Sequence, residues 1–429
     1  MGITELQAWR SPWVGLMGTG GAMALAILGT ADAARAQDGI FGRDTIHGLA
    51  EVRLAGAEGE RSWIDGGFGK AAVPGGGEGG WRDSAGLSQA VVEWRPSFSF
   101  AVSAVISAQW QADTDPKLDL DEAYLKLKAP PSQLGGFSVR LGYFYPPVSL
   151  ENGGVGWTTT DLLSASALNS WIGEEVKVGG LEATYQRRFG DSEVVASAAV
   201  FGWNDTSGTL ISFRGWALHG VRTGVRTEFG LPPLTPFITP RQDDGTYPFR
   251  EIDGRPGFYG RLEWRPPAPV TVQVFHYDNR GDRVSEQDLQ WAWQTRFSEL
   301  SVLWTPDPET KIRAQALSGR TWMGYPRPET WVDVGFSSAY LMATHDLGPG
   351  AASLRIDGFQ TKDNTQAKLA AADEGGWALT AGWRQPITAW VDLFVEAQQI
   401  ESRRPGRLLA GDAPTRAETV LQSAVRLHF

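Results

Sequence analysis

The chain has 429 residues, a formal net charge of −10, 52 Gly, 19 Trp, 19 Phe and no Cys. Without cysteine there is no disulfide framework, no thiolate zinc site and no iron–sulfur cluster, and the acidic balance argues against a general nucleic-acid binder, which needs a basic face. What remains is strand-and-turn composition with a large aromatic content.

In chain order, Met1 to Ala36 reads as a cleavable secretory signal. Arg10 supplies a weak positive start, Val14 to Thr30 is apolar and small, and Ala34-Arg35-Ala36 fits a small-residue cleavage site before Gln37. In the mature chain, 37–429, no apolar run of about 18 residues survives, so no transmembrane helix is expected there. The recurring unit is instead about ten residues of period-two alternation bounded by turn residues, the pattern of a strand with one face buried. Phe98, Phe100, Val102, Ala104, Ile106, Ala108 and Trp110 alternate with polar or small neighbours, as do Val391, Leu393 and Val395 with Asp392 and Glu396. Such units begin near Ile46, Ser84, Ser97, Leu118, Phe137, Glu174, Ser192, Gly257, Pro269, Trp291, Glu309, Val332, Gly350, Gly375, Ala389 and Glu418. That is about sixteen strands, an even number typical of a transmembrane antiparallel β-barrel. Two units slip phase, Leu118/Leu120 against Leu125/Leu127 and Trp291/Trp293 against Leu300/Trp304, and each slip predicts a bulge.

The connections support the same architecture. Every second one is short and usually holds proline, as at Arg95-Pro96-Ser97, Gly190-Asp191, Arg265 to Ala268 and Gln385-Pro386. The others are mostly longer: Gly59 to Asp83, Val148 to Gly173, Thr206 to Pro256 and Arg403 to Ala417 among them. Short periplasmic turns alternating with long outer loops is the barrel pattern. Trp94, Trp110, Trp203, Trp264, Trp304, Trp383 and Trp390 fall at or near strand ends, which predicts aromatic girdles. A barrel of this size leaves a lumen too wide for wall side chains to fill. Only a short segment precedes the first strand, so any plug must come from the loops.

The last strand places Leu421, Ser423, Val425, Leu427 and Phe429 on one face and ends the sequence on Phe429. It resembles the final strand of outer-membrane barrels of Gram-negative bacteria. That resemblance implies that Leu427 and Phe429 form the signal read by the barrel-insertion machinery, with lipid and lipopolysaccharide of the outer membrane as surroundings. A second stretch, Asp121-Glu122-Ala123-Tyr124, then Val139-Arg140-Leu141-Gly142-Tyr143-Phe144 and Tyr145-Pro146-Pro147-Val148-Ser149-Leu150-Glu151, is similar to the phosphate-selective porin O and P family. The resemblance implies a homotrimer in which the third loop, here Val148 to Gly173, folds into the lumen and sets the constriction. It also implies passive diffusion of small hydrophilic solutes, anions such as phosphate among them, with no cofactor.

The residues of that loop depart from the family. Val148 to Gly173 has no Lys or Arg; it carries Glu151 and Asp161, a hydroxyl-rich middle (Thr158, Thr159, Ser164) and Asn169. Strand phase places the cations on the pore wall instead: Arg53, Lys126, Arg140, Arg261, Arg296, Arg313, Arg355, Arg384 and Arg426. Wall arginines facing the loop would be the transverse partners of Glu151 and Asp161. No nucleophile elbow, phosphate loop or closely spaced histidine pair appears, so neither catalytic residues nor a resident metal are expected. Asp243, Asp244, Glu251 and Asp253 offer a cluster of loop acids that could meet a divalent cation, although solvated acids read more simply. The contrasting function is a surface-binding or enzymatic barrel that works through Thr206 to Pro256, a loop much longer than ordinary connections.

Overall fold

The computed structural model describes residues 40–73, 80–130, 132, 135–325, 330–365 and 371–429; the expected signal, 1–36, lies outside them. Sixteen antiparallel strands close into one barrel in sequence order. They are β1 (Ile46–Glu58), β2 (Trp81–Trp94), β3 (Val102–Gln111), β4 (Leu118–Lys128), β5 (Gly136–Phe144), β6 (Val178–Phe189), β7 (Ser192–Gly202) and β8 (Gly257–Arg265). The second half is β9 (Val270–Asp278), β10 (Gln294–Asp307), β11 (Thr310–Gly324), β12 (Thr330–Asp346), β13 (Ala351–Asp363), β14 (Glu374–Thr388), β15 (Val391–Arg403) and β16 (Thr415–His428). Closure is between β16 and β1, with Leu49 opposite His428, and the terminal Phe429 exchanges both backbone hydrogen bonds with Gly48.

Alternation decides which face each side chain takes. On β16, Leu421, Val425 and Leu427 are exposed outward, while Val420, Ala424 and Arg426 are buried inward. Leu54, Val92, Leu141, Val200, Leu262, Leu300, Leu341 and Leu379 continue the outward apolar band on other strands. Backbone groups within the wall pair with the neighbouring strands, so the wall satisfies the one condition a membrane imposes on strands. Trp264, Trp304 and Trp390 stand exposed at the ends next to the short turns, with Trp94 stacked on Phe41 at the same level; these form the girdle at the short-turn side.

One expected bulge is present. Ser107 pairs with Glu122 and Ala108 with Leu120, which leaves Asp121 as the extra residue of β4. The other is absent. Trp291 and Trp293 precede β10 and are buried among loop residues, and the pairing of β10 with β11 runs unbroken from Gln294 to Trp304. The phase of β10 is therefore set by Thr295, Phe297 and Glu299 inside. Arg296, expected on the pore wall, is exposed on the outer face.

Two loops enter the long-loop half of the lumen. The connection after β5 contains α1 (Ala167–Glu175), and the connection after β7 contains α2 (Thr209–Phe213). Trp171 of α1 lies 4.9 Å from the Phe336 ring, 5.2 Å from Phe297 and 6.0 Å from Trp216 of the second loop. Phe201, Tyr259, Phe275, Phe359, Ile400 and Val420 of the wall complete this cluster. At this level the lumen holds a packed apolar core, where sequence reasoning expects water.

Candidate pore constriction

The third loop leaves β5 at a backbone position only glycine tolerates. Gly142 has φ +142°, and a Cβ there would stand 2.1 Å from the Ala123 carbonyl oxygen of β4. From there the loop crosses the lumen and is tied to the opposite wall by charge. Arg355 of β13 reaches Glu151 at 2.9 Å, donates to the carbonyls of Ser164 (2.8 Å) and Ala165 (3.0 Å), and is braced by Asp357 at 2.8 Å. Arg313 of β11 meets Asp161 at 2.7 Å. Glu151 also accepts from the Ser166 backbone N–H at 3.1 Å and from Asn169 Nδ2 at 2.5 Å. The expected transverse partners of Glu151 and Asp161 are thus in direct contact with them.

The hydroxyls of the loop are spent on its own geometry. Thr158 donates to the Val155 carbonyl at 3.0 Å and Thr159 to that of Leu162 at 2.7 Å. Ser164 donates to Glu396 of β15 at 2.5 Å, and Leu163 gives the same carboxylate its N–H at 2.6 Å. Ser166 caps α1 by accepting from the Asn169 N–H at 3.2 Å. All six loop residues singled out from sequence are buried. Leu162 is seated over Gly382 of β14, where a Cβ would come within 2.4 Å of its Cδ2.

Most wall cations are internally neutralised. Arg426 pairs with Glu51 at 2.6 Å and donates to the Thr159 carbonyl at 2.7 Å. Arg53 shares that Glu51 at 2.5 Å, Arg140 holds Glu182 at 2.8 Å, and Arg384 lies 3.8 Å from Asp392. Arg261 contacts Glu263 and donates to Gln273 at 2.5 Å. Lys126, opposite Arg140 in register, makes no ion pair among the described residues. Of the nine cations expected on the wall, Arg296 alone points away from it.

Sequence reasoning missed the second plug. Residues 205–223 of the longest loop are almost all buried. Arg214 grips Glu174 at the end of α1 through two hydrogen bonds of 2.5 and 2.6 Å, and His219 Nε2 lies 3.0 Å from the same carboxylate. Burial alone would raise Glu174, but Arg214 and His219 outweigh it and hold the carboxyl at about 2. Its neighbour Glu175 accepts the Leu210 N–H at 2.8 Å, so it caps α2, and it accepts from Trp171 Nε1 at 2.6 Å. With no cation paired to it among the described residues, burial pushes Glu175 up to about 7. Arg222 inserts among Gln89, Gln109 and Gln111 of β2 and β3. A signal was available: Glu174 and Glu175 follow a loop without cations, and the next loop carries Arg214 and Arg222.

The loop acids divide. Glu251 and Asp253 come together with Asp205, their nearest oxygens within 4.8 Å of one another. Burial and the two neighbouring carboxylates raise Asp205 to about 7. Asp243 and Asp244 are not part of this group. Its carboxylates accept backbone N–H groups, Asp205 from Ile252 at 2.5 Å and Glu251 from Trp203 at 2.7 Å. At the closing seam Leu427 and Phe429 are exposed on the outer lip.

No protein-family model matches the chain, and no curated protein matches it. Solved structures do share its fold. An outer membrane channel, DcaP, of Acinetobacter baumannii is 10% identical with a TM-score of 0.54, covering 90% of this chain and 99% of its own. An anion-selective porin from Comamonas acidovorans is 12% identical, TM-score 0.53, with the same coverage. OmpF of Salmonella typhi, in complex with daunomycin, is 10% identical, TM-score 0.50, covering 90% and 97%.

Proposed function

We propose that the chain is an outer-membrane porin: a channel for passive diffusion of small hydrophilic solutes, narrowed by loops rather than by its wall. The observation that carries this reading is the third loop held across the lumen by Arg355–Glu151 and Arg313–Asp161. A segment buried by ion pairs to the opposite wall restricts whatever passes beside it, and the field at the narrowest point sets selection. The loop acids being neutralised, the cations left over count: Lys126, and the surplus of Arg53 and Arg426 over the single Glu51 they share, favour anions, phosphate among them. Three barrels side by side, an environment of lipopolysaccharide, and insertion through Leu427 and Phe429 belong to the same proposal.

The second reading, a barrel working through 206–256, would need that loop to seal the mouth over an empty lumen, whereas residues 205–223 lie inside the lumen against α1. This makes the loop a second element of the constriction and leaves only its remainder available for work outside. Liposome swelling with sugars of graded size tests the proposal. Swelling that falls off steeply with solute size is expected; no swelling with any solute, from a barrel shown to be folded, would overturn it.

A further inference from the structure

Lys177, between α1 and β6, lies against carboxyl groups that the channel does not use. Its Nζ is 3.2 Å from Asp121 Oδ1, and neither side chain is exposed. It also donates to the backbone carbonyls of Asp121 and Thr223 and stands over the Tyr145 ring at 4.5 Å. Consecutive residues of a strand ordinarily face opposite sides of the sheet. The bulge of β4 changes that: Asp121 is the extra residue, and both it and Glu122 are buried. Ser107 donates to Asp121 Oδ2 at 3.2 Å, and the Tyr145 N–H to Glu122 Oε1 at 2.9 Å. Glu122 also bears on Lys177 by charge.

An amine and a carboxyl are thus in contact away from solvent, with a second carboxyl beside them. A buried ion pair needs one carboxylate; Glu122 is surplus to that pair and placed to carry protons. Burial disfavours the Lys177 ammonium and lowers it below its ordinary value. The two carbonyls take two of its N–H bonds. Once the third proton leaves, the lone pair faces the Asp121 carboxyl, the geometry of a nucleophile held against its electrophile.

We propose that Lys177 and Asp121 condense into an isopeptide bond after the barrel folds. Lys177 Nζ attacks Asp121 Cγ; a C–N bond forms, a C–O bond breaks, and the departing oxygen leaves as water. The ammonium supplies both protons of that water. Glu122 takes each from the nitrogen and passes it to the oxygen, and so ends in the state in which it began. The step needs no oxidant, reductant or co-reactant. The cross-link fastens the exit of the third loop to β4 and closes 121–177 into a covalent ring that contains the constriction. It goes beyond the porin reading and does not depend on conduction.

Intact-mass spectrometry of the purified, folded mature chain tests it. The chain should be lighter by one water than its sequence. Tryptic digestion should release 118–126 joined to 141–187 through these two side chains, with no cleavage after Lys177. The same chain kept unfolded in urea from inclusion bodies onward should carry the unlinked mass. Glu122→Gln, checked for folding by heat-modifiable migration, should lose most of the link. Asp121→Asn should give the same joined peptides with loss of ammonia instead of water, because the same amide forms. A folded parent of unlinked mass, or a water loss that maps elsewhere, would overturn the proposal, as would a link retained in full by folded Glu122→Gln.

Discussion

Arg355 is the residue on which the third loop turns. Its guanidinium satisfies two carboxylates and two carbonyls at once, all buried. Replacing it by Ala would leave Glu151 and Asp357 buried without their cation, at a cost of about 3–5 kcal/mol. Arg355→Ala should therefore free the loop before it unfolds the barrel: single-channel records should show larger steps and more noise, with heat-modifiable migration retained. Glu175 makes a second residue-scale prediction. A carboxyl raised to about 7 favours its protonated form in the packed plug. Its stabilising contribution is full below its ordinary value, 4.5, and is lost as pH rises through about 7. Glu174, held at about 2, contributes above its ordinary value and does not change between pH 5 and 8. The groups bearing on Glu175 are Glu174 and Arg214 by charge, with Trp171 and Leu210 by hydrogen bond. Protection of the amides across 205–223, taken relative to their intrinsic exchange at each pH, should accordingly fall between pH 5 and pH 7, and Glu175→Gln should flatten that fall. Protection in the parent that stays constant over this range would count against it.

At the scale of elements, α1 and the inward part of the longest loop behave as one packed unit. They share Trp171 and Trp216 in one core and the Arg214–Glu174 pair at its edge. Gly382 is the wall's concession to that unit, since Leu162 fills the space a side chain would need. Gly382→Leu should push the loop inward or off its seat and lower conductance without touching a charge; unchanged conductance would mean that the loop is not at the narrowest point. This is also where sequence and structure part. Most strand starts, the alternation of short turns with long loops and the bulge at Asp121 follow from period-two patterning and turn chemistry, which are local; the start expected near Glu174 falls in α1 instead, and β6 begins at Val178. Counting Trp291 and Trp293 as strand puts β10 in the wrong phase; a local pattern does not say that an apolar pair belongs to a plug. The same blindness hid 205–223, whose partners Glu174, Gln89 and Gln111 are distant in sequence. The pairing of Glu151 and Asp161 with wall arginines was anticipated in kind, because a loop with acids and no cations must find them elsewhere.

For the whole molecule, the closed wall and the loops inside it have separate jobs. The wall satisfies its own backbone and meets lipid with an apolar band; the loops decide how much of the lumen is open. Single-channel conductance in planar bilayers, compared between the mature chain and a variant with 206–222 replaced by a short Gly/Ser linker, tests this division most directly. Small, stable, anion-favouring steps are expected from the parent and clearly larger ones from the shortened variant. Folded barrels of both kinds that conduct nothing, or that conduct identically, would contradict it.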